Sequence, residues 1–166
     1  MSAIIDGLLN GWNKNDEYAQ RLVADLTEAQ MTAQPAPSDS TPSNHPAWVL
    51  SHLNAYLPVI QSLIRNEPFE DPKNHPFGML SKPESDASIY ADKATLLKEW
   101  VEGHEAVRQL LHSADDSIFE NDTLLERWKG PMPKVGIALP YVMLCHENIH
   151  LGQLSAWRRI QGMPSV

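Results

Sequence analysis

Four stretches of this chain repeat apolar side chains at intervals of three and four residues, and no stretch shows convincing strand alternation. A helix patterned on one face cannot bury that face alone, so four such segments must pack against one another. The first runs from about Ala3 to Leu26, with Ile4, Leu8, Trp12, Ala19 and Leu22 recurring. The second starts after Asn44, the expected cap, and carries Val49, His52, Leu53, Tyr56, Ile60 and Leu63. The third spans about Asp92 to His112, with Leu96, Trp100, His104, Val107 and Leu111 on one face. The fourth spans about Lys134 to Gln161, and its expected buried side is Leu139, Val142, His146, Ile149, His150, Gln153, Trp157 and Ile160. The pattern predicts an all-α four-helix bundle with long crossover connections, built as a single domain over residues 1–166.

Proline places the breaks. Gln34 to Ser43 is a Pro/Ser-rich connection that cannot sustain a helix. Asn66 to about Ser88 is irregular, interrupted by Pro68, Pro72, Pro76 and Pro83, and is long enough to cross from one end of a bundle to the other. Pro58 predicts a kink in the second helix, and Pro140 a bend or a delayed first turn in the fourth. Gly162 followed by Pro164 ends the fourth helix.

The charge balance narrows the partners. A net charge of -8 repels phosphate backbones and anionic lipid, so neither nucleic acid nor a membrane surface is expected as a partner. No apolar run approaches the roughly 18–20 residues of a membrane span, and the start lacks a basic n-region. A single cysteine, Cys145, excludes an internal disulfide framework. A cytoplasmic location is the expectation.

The chemistry sits in the fourth stripe. His146 and His150 are four residues apart on one helix, so both rings project from one face, one turn apart. Two buried imidazoles side by side each need their ring nitrogens satisfied, and one shared divalent ion does this for both. His52 occupies the same kind of position in the second helix. Three neutral ligands leave coordination positions open, as at a catalytic centre and unlike a closed structural one. His-Glu-Asn-Ile-His also has the spacing of a zinc protease, with Glu147 as base. None of the sixteen residues after His150 is His, Asp or Glu, so the downstream third ligand of the common zinc proteases is absent.

Two segments carry a resemblance. His45-Pro-Ala-Trp-Val-Leu-Ser-His52-Leu resembles the second-helix segment of the DinB/YfiT-like metal-binding four-helix bundles. His146-Glu-Asn-Ile-His150-Leu-Gly-Gln153 resembles their His-x-x-x-His-x-Gly-Gln signature. The resemblance implies a divalent ion, zinc or nickel, held by His52, His146 and His150, and a homodimer. It further implies a metal-dependent transferase that joins a low-molecular-weight thiol to a small electrophile. The alternatives are a non-catalytic, stress-related metal-binding protein and a metal-dependent hydrolase.

Other residues are weighed beside that site. Gln153 is a candidate for steadying a ligand ring or a bound water. His104 is a candidate acid, base or substrate contact, set against the plainer reading of a core histidine hydrogen-bonded to a carbonyl. Glu147 is expected in solvent or a surface ion pair, His45 and His75 at the surface, and Cys145 as a buried thiol. Gly152 is expected at a close helix approach, and Arg158 and Arg159 as partners of the helix dipole.

Overall fold

The computed structural model describes residues 2–35 and 42–166. Most of the Pro/Ser-rich connection lies outside them. The elements are α1 (Ala3–Ala24), α2 (Pro46–Arg65), α3 (Lys93–Ser113), α4 (Val135–Pro140) and α5 (Glu147–Ile160). A π-helical turn, Tyr141–His146, joins α4 to α5, so the three make one fourth rod. Short 3-10 turns punctuate the connections.

The rods form a ring. α2 packs on α3 and on the fourth rod, and α1 packs on α3 and on the fourth rod. Helices α1 and α2 therefore stand diagonally opposite one another, as do α3 and the fourth rod, and 66–92 joins neighbours. This is a four-helix bundle with long crossover connections. No helix among the described residues is long and apolar enough to cross a membrane.

Caps set the helix ends. Ser2 accepts from the Ile5 N–H, and Asp92 accepts from the Thr95 N–H at 2.7 Å. Asn44 does not cap α2. His45 does, its Nδ1 accepting from the Trp48 N–H at 3.2 Å while its Nε2–H donates to the Glu84 carbonyl at 2.8 Å. His45 is therefore wholly buried and not at the surface. Gly162 closes α5 with φ +72°, a left-handed conformation that glycine adopts without a Cβ penalty.

The core runs the length of the bundle. Trp12, Leu57, Ile60, Val107, Leu139 and Met143 pack at one end, and Val23, Leu50, Trp100, Leu151 and Trp157 at the other. α2 and α3 approach closely at Gly103, where an added Cβ would meet the Leu57 Cβ at 3.2 Å. Gly152 has no such neighbour, so it does not serve a close helix approach.

The buried arc of the fourth rod is centred away from where the spacing predicted. Ile149 and Ile160 are exposed, whereas Glu147, Leu151, Leu154 and Arg158 are buried. At about 100° per residue, the histidines lie on one margin of the buried arc and not at its middle. Arg158 does more than complement the helix dipole. Its guanidinium bonds the Leu22 carbonyl at 2.9 Å and both Asp25 carboxylate oxygens, tying α5 to the end of α1. Cys145, on the π turn, is exposed and not buried.

Candidate metal centre

That marginal placement brings three rings to one point at the edge of the core. Ring centroids are 4.5 Å apart for His52 and His150, 4.8 Å for His146 and His150, and 5.1 Å for His52 and His146. One nitrogen from each ring lies within 4.8 Å of the other two. His52 and His150 are buried and His146 is half-buried. The turn that delivers His146 is π-helical, a local widening that recurs at functional sites. Pro140, just before it, has no N–H to donate to the helix ladder.

Hydrogen bonds fix which nitrogens are free. The His52 Nδ1–H donates to the Phe77 carbonyl at 2.6 Å, and its ring stacks on Trp48 with an interplanar angle of 12°. The His150 Nδ1–H donates to the Gln153 Oε1 at 2.9 Å. In both rings Nε2 is therefore a bare lone pair. The His146 Nε2 stands 3.1 Å from the His52 Nε2, and the buried His146 Nδ1 has no hydrogen-bond partner among the described residues. A proton on His146 reconciles one pair of nitrogens; a divalent cation reconciles all three. The donor set fits such an ion, with two of its rings held by outer partners as metal-binding histidines generally are.

The electrostatics agree with neutral rings. Burial, followed by the neighbouring His150, lowers the His52 pKa to about 4. Burial lowers His146 to about 3, with His150 and then His52 adding to the effect. Burial also lowers His150, against the bond to Gln153. An unfolded histidine takes up a proton near pH 6.5, and these folded ones refuse it. The metal-free protein is therefore expected to keep this stability above about pH 6.5 and to lose it progressively toward about pH 3. Thermal midpoints across that range check this; a flat profile contradicts it.

Gln153 is exposed, and its Oε1 also accepts from the Asn44 side chain at 2.8 Å. It reaches the site only through His150. His104 is not brought to the three rings. It is wholly buried between Trp12 and Trp100, at ring distances of 4.1 and 4.0 Å, and its Nδ1–H donates to the Trp100 carbonyl at 2.9 Å. Its Nε2 faces the Glu147 Oε1 at 3.4 Å. Glu147 is thus a core residue and not a surface one, and it also accepts from the Trp12 indole. Burial raises its pKa, against the pull of His104 and Trp12.

A cavity of about 610 Å³ opens in front of the three rings. Its walls beyond the histidines are largely aromatic and apolar, including Trp48, Tyr56, Trp128, Met132 and Tyr141, and among the described residues its one charged lining residue is Arg127. The Arg127 Nε donates to Asp71 at 2.6 Å, and its guanidinium lies 5.3 Å over the Trp128 ring. Sequence reasoning missed Arg127 and the Phe77 carbonyl. Arg127 sits in a loop with no periodicity, and its only local signal is the adjacent tryptophan. A second cavity of about 500 Å³, lined by Ser51, Asn54 and Glu99, involves none of the three histidines.

No curated protein matches this chain. The family described as the DinB superfamily matches residues 12–154, a span that reaches into all four rods and includes all three histidines. The chain belongs to the DinB superfamily.

Proposed function

We propose that this protein binds one divalent ion through His52, His146 and His150, and that it is a metal-dependent transferase joining a small thiol to a small electrophile. The observation that carries the reading is the open cavity in front of three convergent, neutral imidazoles. A closed structural site would be surrounded by protein on all sides. When bound, an ion held by neutral ligands keeps its full charge and supplies the Lewis acidity that turns a thiol into a thiolate near neutral pH.

The chain's own residues do the rest. Phe77 and Gln153 hold two rings with their Nε2 lone pairs turned to one point. Trp48 fixes the plane of His52. The aromatic walls of the cavity exclude water from a bound electrophile and orient it. Tyr56, with its ring 4.5 Å from His146, keeps its proton because burial raises its pKa, and so offers a hydrogen bond inside the cavity.

The test is loss of free thiol when the zinc- or nickel-loaded protein meets an alkyl halide or epoxide together with a cellular thiol. Turnover that disappears on chelation is expected. Metal-dependent thermal stability with no thiol consumption would favour a non-catalytic metal-binding protein instead.

A further inference from the structure

The cavity has a second chemical end. Tyr56 touches both His52 and His146 at ring distances of 5.1 and 4.5 Å, and it shares the cavity wall with Arg127. Asp71 occupies only the Nε of Arg127, and Asp71 does not line this cavity. Among the described residues the buried Nη2 has no hydrogen-bond partner within normal distance, and Tyr56 lies beside the guanidinium. A guanidinium offers five donors in a planar fork, and buried donors left without acceptors are costly. Inside the cavity the guanidinium borders Tyr56 and Trp128, while its carboxylate partner Asp71 stands outside the lining. Among the described residues, a cavity whose one charged lining residue is an arginine favours an anion over a cation.

We propose that Arg127 forms an anion subsite and that the ligand of this cavity is a small carboxylate with an apolar or aromatic body. The carboxylate meets the Nη edge of Arg127, with the Tyr56 hydroxyl beside it, and the body lies on Trp128, Met132 and Tyr141. Asp71 holds the fork in place without occupying the edge that the ligand needs. This assignment rests on the reading of the same cavity as the place where ligand meets the three histidines.

The probes are phenylacetate and phenylacetamide, which share a shape and differ in charge. Each is titrated into metal-free and zinc-loaded protein, followed by the Arg127 Nε–H resonance and by calorimetry. The acid is expected to bind about tenfold more tightly than the amide, the scale of a charge-assisted hydrogen bond, and to shift that resonance even without metal. Arg127→Gln should abolish the preference, so that acid and amide bind alike, and Arg127→Lys should keep part of it. If Arg127→Gln fails to fold, the wild-type resonance and the lysine variant still decide the matter. Equal binding of acid and amide, or a preference that survives Arg127→Gln, overturns the subsite. Failure of zinc to load would instead strike the metal reading, and the metal-free titration separates the two.

Discussion

Protein purified without an affinity tag is expected to carry about one divalent ion per chain, and both His52→Ala and His150→Ala to carry almost none. The two substitutions remove ligands from opposite sides of the site, α2 and α5, so they test the convergence itself. Elemental analysis reads the result. Full occupancy in either variant would mean that the three rings do not share an ion. Gln153→Ala provides the graded case. It leaves the three ligands but frees the His150 ring, and a loss of about 10- to 100-fold in affinity is expected. An ion that binds the folded chain alone should raise the thermal midpoint with concentration, and this rise should vanish in the two histidine variants.

The second large effect lies in the core. Glu147→Ala should destabilise the fold by about 3–5 kcal/mol, because it removes one partner from a buried polar cluster. The Trp12 indole N–H loses its acceptor, His104 loses its carboxylate partner at Nε2, and a cavity is left between α1, α3 and α5. For a chain of this length the expected fall in melting midpoint is roughly 10 °C. Glu147→Gln keeps an oxygen for Trp12 and should cost about 1–2 kcal/mol. An alanine variant that melts with the wild type would show that Glu147 carries no structural burden. Metal content in the same samples separates a stability effect from damage to the adjacent ligand.

Much of this fold was legible in the sequence because helical periodicity is a local property. Trp100, His104, Val107 and Leu111 recur at helical spacing, and all four are buried in α3. The pairing of His146 with His150 was equally local, and the inward stripe of α2 supplied His52. The centre of the buried arc in the fourth rod was less legible. Ile149 and Ile160 suggested an arc around the histidines, but the apolar side runs through Leu151 and Leu154. Hydrophobicity alone could not decide this, since Glu147 and Arg158 are buried by partners on other helices. Two of those partners, Trp12 and Leu22, are more than a hundred residues away in sequence. The Phe77 carbonyl that orients His52 could not be read at all, because every residue has such a group and only the folded loop selects one. Arg127 is similar: the loop after α3 is pinned to the start of α4 by the Thr123 N–H to the Pro133 carbonyl and the Val135 N–H to the Asn121 carbonyl. That anchoring decides where the guanidinium stands.

The ring order of the rods also constrains how the molecule assembles. α1 and α2 follow one another along the chain but stand diagonally opposite, as do α3 and the fourth rod. Only α2 and α3 are both consecutive and adjacent, so they are the one helical pair that can form without closing a loop around a third rod. The remaining interfaces join segments far apart in sequence, which slows folding relative to a bundle whose neighbours are consecutive. If that pair forms first, His52 is in place early, and His146 and His150 arrive when the fourth rod docks. An ion added during refolding should leave the folding rate nearly unchanged and slow unfolding, because it grips contacts made late.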